Sequence, residues 1–124
     1  MPVEFLKCEK CGNIVIRVEK GSCTPNCCNE PMTELKANTV DASKEKHVPV
    51  VEHSNGKLLV KIGSIPHPML EEHHISFVVL EGACGATMIK HLKVGAAPEV
   101  YFPDHEHGTI YAYCNLHGLW KTEF

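Results

Sequence analysis

Val48-Pro49-Val50-Val51-Glu52, Ser54-Asn55-Gly56 and Leu58-Leu59-Val60-Lys61-Ile62 run almost end to end in the middle of the chain. Two apolar, β-branched runs joined by Asn-Gly predict a β-hairpin. Further along, Ile75-Ser76-Phe77-Val78-Val79-Leu80 is a nearly continuous apolar strand. Residues 81–85 hold two glycines and turn the chain into a strand over 87–92, and three more strands are predicted over 99–102, 109–114 and 119–124. Six or seven short strands at regular spacing, with turn residues between them and no helical period, predict a β-sandwich.

In front of the hairpin the sequence changes character. Residues 36–46 are polar and read as a linker, and the first 36 residues read as a separate small unit. Cys8-Glu9-Lys10-Cys11-Gly12 is a knuckle whose glycine lets the backbone turn its amides toward sulfur. Residues 14–18 form a short strand, Lys20-Gly21 a turn, and Cys27-Cys28 close the unit. So few residues bury little apolar surface, and a metal would supply the missing stability. The predicted organisation is therefore a metal-binding domain over 1–36 and a sandwich over 37–124.

Composition narrows the function classes. The chain has 124 residues, 44% hydrophobic and 22% charged, which is ordinary for a soluble globular protein. No run of about 18 apolar residues is present, so no membrane span is expected. Met-Pro-Val-Glu-Phe carries no basic patch leading into an apolar stretch, so no signal peptide is expected, and the cytoplasm is the predicted location. Thiols stay reduced there, which favours metal binding over disulfides for the seven cysteines. A net charge of −3 without a basic stripe argues against nucleic acid as a partner.

The metal-ligand residue types divide along the chain. Five cysteines (Cys8, Cys11, Cys23, Cys27, Cys28) fall in the first 28 residues, whereas all nine histidines lie between His47 and His117 with Cys84 and Cys114. In front, the C-x2-C knuckle and the cysteine pair offer four thiolates, suited by geometry to zinc or to a single iron. Adjacent Cys27 and Cys28 distort a tetrahedron, and Cys23 is a fifth thiol, able to replace one of the pair but read as a spare thiol in the loop. At the rear, His47, His67, His73, Cys114 and His117 stand out. His47 precedes the first strand of the sandwich, His67 and His73 bracket a loop, and Cys114-Asn115-Leu116-His117-Gly118 follows the penultimate strand. Loops on a rigid sandwich are common carriers of function.

Taken together these motifs carry a resemblance. The C-x2-C-G knuckle, the Cys-Cys pair and Glu30-Pro31-Met32 resemble desulforedoxin. Glu45-Lys46-His47-Val48-Pro49, the His67-Pro68-Met69-x3-His73 loop and Cys114-Asn115-Leu116-His117-Gly118-x-Trp120 resemble superoxide reductase. In this order they are similar to the desulfoferrodoxin family, the two-iron superoxide reductases. The resemblance implies a mainly β chain with a small desulforedoxin- or rubredoxin-like domain before an immunoglobulin-like sandwich. It implies two irons: one held by Cys8, Cys11, Cys27 and Cys28, and a catalytic one held by His47, His67, His73 and His117 with Cys114 axial. His74 stands where the family usually has an aromatic residue, and the six-residue step from His67 favours His73 over it as the ligand. Cys23 and Cys84 have no place in the family pattern.

The implied activity is the one-electron reduction of superoxide to hydrogen peroxide without oxygen production. Four neutral imidazoles and one thiolate leave ferrous iron with a formal charge of about +1, which attracts an anion, and the thiolate donates electron density. Lys46 is expected to steer superoxide and orient proton delivery, and Glu45 to occupy the sixth position of the oxidised iron. A small reduced carrier such as rubredoxin is the implied electron donor, and a homodimer the implied assembly. Two other readings remain from the residues alone: a non-catalytic rubredoxin-like electron carrier, and a zinc-binding interaction module.

Overall fold

The computed structural model describes residues 3–124 and divides into two compact units, Met1–Lys36 and Ala37–Phe124. Among the described residues there are thirteen short elements. All are strands except one four-residue helical turn, and every strand pair is antiparallel. Among the described residues no helix is long and apolar enough to cross a membrane.

In the first unit β1 (Glu4–Lys7) lies between β2 (Ile14–Arg17) and β5 (Thr33–Glu34), and β3 (Asn26–Cys27) pairs with β4 (Glu30–Pro31). Sequence reading finds only the strand at 14–18. The others span two to four residues, too few for a periodic pattern to register. Cys28 and Asn29 join β3 to β4 with φ of 52° and 62°, the doubly left-handed geometry of a tight type I′ hairpin loop. The core is small: Phe5, Leu6, Cys8 and Met32 are buried, the last three as one cluster with Cys27 packed against it. Arg17 adds polar ties, donating to Glu4 Oε1 at 3.1 Å and to the carbonyls of Gly21 and Cys23 at 3.2 Å.

The second unit is a sandwich of two sheets. One has the order β10 (Glu99–Pro103), β7 (Lys57–Ile62), β6 (Pro49–Ser54). The other has the order β12 (Gly118–Glu123), β11 (Gly108–Cys114), β8 (Ile75–Gly82), β9 (Thr87–His91). Alternation on β7 buries Leu58, Val60 and Ile62, which meet Val78 and Leu80 of β8 and Ile110 and Ala112 of β11 in one core. Each buried Leu, Val or Ile here contributes about 1.5–3 kcal/mol, a far larger apolar core than the first unit has. Asn55 and Gly56 turn the β6–β7 hairpin with φ of 50° and 77°, again the type I′ geometry.

One departure from the sequence reading bears on function. The segment read as a linker is docked on the sandwich. Asn38 imitates a strand rung, its N–H donating to Leu119 O (3.0 Å) and its Oδ1 accepting from Lys121 N (2.9 Å). Its C-terminal part then forms α1 (Lys44–His47), which carries His47 into the interior. Cys114, within the strand expected over 109–114, is the last residue of β11, fully buried, with a register shift against β8 between Tyr113 and Cys114.

Candidate metal centres

The front cluster is assembled from two turns. At the first, Cys8 N donates to Asn13 O (2.8 Å) and Gly12 N to Cys8 O (2.9 Å), with Gly12 at φ +85°. The second is the left-handed pair Cys28-Asn29. Together they bring the sulfurs of Cys8, Cys11, Cys27 and Cys28 within 4.8 Å of one another. Cys11 Sγ and Cys27 Sγ are 3.6 Å apart, and Asn13 Nδ2 donates to Cys27 Sγ at 3.7 Å. The N–H of Cys11, with that of Lys10, lowers Cys8 to about 7, whereas hydrogen bonding to Cys11, Cys8 and Cys27 pushes Cys28 up to about 12. Four thiols this close cannot all ionise beside one another; a cation among them removes the conflict. Cys23 is exposed and outside the cluster, its sulfur near only Ser22 Oγ at 3.8 Å.

The rear cluster is built from four imidazoles. Neighbouring ring centroids are 4.6 Å (His47–His67), 4.7 Å (His67–His73), 5.0 Å (His73–His117) and 4.9 Å (His117–His47) apart, closing a quadrilateral. Each adjacent pair meets edge to face, at 74° to 89°. The ligand atoms of His47, His73, Cys114 and His117 all lie within 4.8 Å of one another, and His67 joins through His47, Nε2 to Nε2 at 3.1 Å.

Backbone carbonyls set the tautomers. His47 Nδ1 donates to Ser43 O (2.6 Å) and His67 Nδ1 donates to Pro68 O (2.7 Å), so both Nε2 atoms turn bare lone pairs inward. Yet His47 Nε2 is 3.1 Å from both His67 Nε2 and His117 Nδ1, and the buried His73 Nε2 has no hydrogen-bond partner. Lone pairs facing one another at hydrogen-bond distance repel unless a positive charge sits between them. Burial pushes His47 and His73 below the usual imidazole value and His67 to about 4, so a proton does not fill that role at neutral pH. Burial also raises the thiol of Cys114, opposed by hydrogen bonds from the N–H groups of Leu116 and His117, the latter at 3.4 Å. The donor set fits a transition-metal ion, which deprotonates a buried thiol and satisfies converging imidazoles together.

Neighbouring groups hold this arrangement. Trp120, fully buried, stacks on His47 (4.8 Å, 26°) and donates from Nε1 to His117 O at 3.1 Å. The carbonyl of Glu45 accepts from Ile65 N (2.9 Å) and Ser64 Oγ (3.2 Å), and a Cβ at Gly63 would lie 2.6 Å from it. Only glycine at 63 therefore lets this loop close on the turn that carries Glu45, Lys46 and His47. Lys46 is exposed, and its charge helps disfavour protonation of both His47 and His73. His74 stands apart, its ring bonded to Leu70 O at 2.9 Å, and exposed Cys84 joins neither cluster.

Residues 39–123 match the family model described as desulfoferrodoxin, and residues 3–35 match that of the desulfoferrodoxin N-terminal domain. The chain belongs to the desulfoferrodoxin family. A desulfoferrodoxin of Syntrophotalea carbinolica is 48% identical over 98% of this chain and 96% of its own length. The crystal structure of the superoxide reductase from Treponema pallidum superposes with a TM-score of 0.79 at 34% identity, covering 98% of this chain and 99% of that one. The one-iron superoxide reductase of Giardia intestinalis matches 65% of this chain and 98% of its own, with a TM-score of 0.57 at 29% identity.

The groups that sequence reading misses are mostly backbone. The Ser43, Pro68 and Glu45 carbonyls leave no trace in residue identity. Trp120 and Asn115 do appear within the Cys114–Trp120 motif, but their contacts to His47 and to the loop of His73 emerge only from the fold.

Proposed function

We propose that this chain is a superoxide reductase whose catalytic iron is held by His47, His67, His73, His117 and Cys114. The observation that carries the reading is the closed quadrilateral of imidazoles with inward lone pairs beside the buried Cys114 sulfur. Membership of the desulfoferrodoxin family, and the likeness to proteins named superoxide reductase, support it. Ferrous iron in this donor set supplies the single electron that, with two protons, turns superoxide into hydrogen peroxide.

The chain's own residues prepare that exchange. The carbonyls of Ser43 and Pro68 keep His47 and His67 in the tautomer that offers Nε2 inward. The N–H groups of Leu116 and His117 stabilise the Cys114 thiolate. Among the described residues Lys46 has no salt-bridge partner, so its charge is free to draw in an anion against the net charge of −3. The same ammonium orients the water that delivers protons. Glu45, exposed on the same turn, is the carboxylate that moves into the site once product has left.

The Cys8, Cys11, Cys27 and Cys28 cluster holds a second, rubredoxin-like iron with an accessory electron-storing role. Re-reduction comes from a small electron carrier such as rubredoxin in the cytoplasm, a location in keeping with seven unpaired cysteines. The assembly is a homodimer, a reading supported by the thin core of the first unit and by Val18, 98% exposed just beyond edge strand β2.

The test is to mix reduced, two-iron protein with superoxide and measure hydrogen peroxide and oxygen. One peroxide formed per superoxide consumed, with no oxygen, is expected. No acceleration over spontaneous dismutation would sink the reading and favour a non-catalytic electron carrier.

A further inference from the structure

We propose that Asn115 is a positioning residue that fixes His73 relative to Cys114; the proposal rests on the rear cluster being a metal site. His47 and His67 are each anchored by a carbonyl at Nδ1, but among the described residues the ring of His73 has no hydrogen-bond partner. Its place therefore depends on its backbone, which belongs to the loop between β7 and β8. That backbone has one tie to the strand carrying Cys114.

The tie is Asn115. Its N–H donates to His74 O (3.1 Å), its Oδ1 accepts from His74 N (2.8 Å), and its Nδ2 donates to Glu72 O (3.1 Å). The side-chain amide thus grips the chain on both sides of His73. Its orientation is fixed by its partners: a flip would set oxygen against the Glu72 carbonyl and NH2 against the His74 N–H. The grip comes where the ladder is irregular, because Tyr113 pairs with Phe77 whereas Cys114 pairs with Ile75. Three hydrogen bonds from one residue replace the missing regularity and hold one imidazole against one thiolate. Such outer partners set ligand orientation, and their loss typically weakens metal binding about ten- to hundredfold.

The experiment uses full-length protein loaded with iron at both clusters and follows release of each metal to a chelator. It also records the thiolate-to-iron absorption of the oxidised rear site and its midpoint potential. Asn115→Ala is expected to weaken rear iron about ten- to hundredfold and to shift that absorption, with the front iron retained as in wild type. Asn115→Asp keeps the acceptor for His74 N–H but places oxygen against the Glu72 carbonyl, so an intermediate loss is expected; if Asn115→Ala does not fold, this variant decides. Wild-type iron retention and unshifted absorption in the folded variant would overturn the proposal, even with a lowered Tm. Wild-type protein that takes no metal at the rear cluster would overturn the site assignment itself, an outcome visible without any substitution.

Discussion

The two clusters solve opposite problems. In front, four sulfurs are brought together by turns of two or three residues over four buried side chains, one of them Cys8 itself, and two of the four sulfurs, those of Cys11 and Cys28, belong to exposed residues. At the rear, His47, His67 and Cys114 are buried at the end of a sandwich with a much larger core, of which Cys114 is itself a member. Backbone carbonyls aim the Nε2 atoms of His47 and His67, and an indole stacks on His47. In the front unit the metal organises the protein, and in the rear unit the protein organises the metal. That difference suits a sulfur-saturated centre that passes electrons and a pre-arranged one that binds an anion.

If so, stripping both metals with a chelator should unfold one unit and spare the other. Hydrogen exchange at Glu4–Lys7 and Ile14–Arg17 should approach that of an unfolded chain, whereas Lys57–Ile62 and Gly108–Cys114 should stay protected. Protection in both units would mean that the small core stands by itself. Activity should divide the other way. Cys114→Ser is expected to reduce superoxide removal to the spontaneous rate while keeping the front iron's visible absorption. Cys28→Ser should lose that absorption and keep superoxide capture, and loss of both activities together would contradict the accessory role.

Acid should separate the clusters more gently. Metal displaces protons from four front thiols, two of which are raised, but at the rear from one thiol, Cys114, because burial holds His47, His67 and His73 below the usual imidazole value. Each displaced proton weakens binding about tenfold per unit fall in pH. Cobalt affinity of the metal-free chain should therefore fall more steeply in front than at the rear as pH drops, and equal slopes would count against the pre-formed rear site. A smaller effect is expected for Lys46→Ile, which should slow superoxide capture by about tenfold at low ionic strength and flatten its salt dependence. An unchanged rate would remove Lys46 from the steering role.

Legibility in the sequence followed the length of each pattern. The sandwich strands were readable because alternation such as Leu58, Val60, Ile62 repeats over a whole strand. The strands β3, β4 and β5, of two residues each, and the turn Lys44–His47 carry no such repeat; distant partners hold the docked segment, as Asn38 is held by β12. Site residues with a distinctive side chain could be picked out by type, and the structure brings His47, His67, His73, Cys114 and His117 into one cluster. What aims them is less visible. Ser43 and Pro68 act through carbonyls that every residue possesses, and the bonds of Asn115 reach back 41 to 43 residues.

Trp120 has a practical consequence. It is the only tryptophan in the chain, and its ring lies face to face with His47. Nearly all indole emission from this molecule therefore originates one ring away from the rear cluster, with no second chromophore of its kind to dilute it. An ion arriving there, or changing its oxidation state, is expected to alter the quenching of that emission, which a fluorescence titration with iron would read. The chain carries its own optical gauge of the rear cluster, one that reads loading and electron arrival in real time without a label.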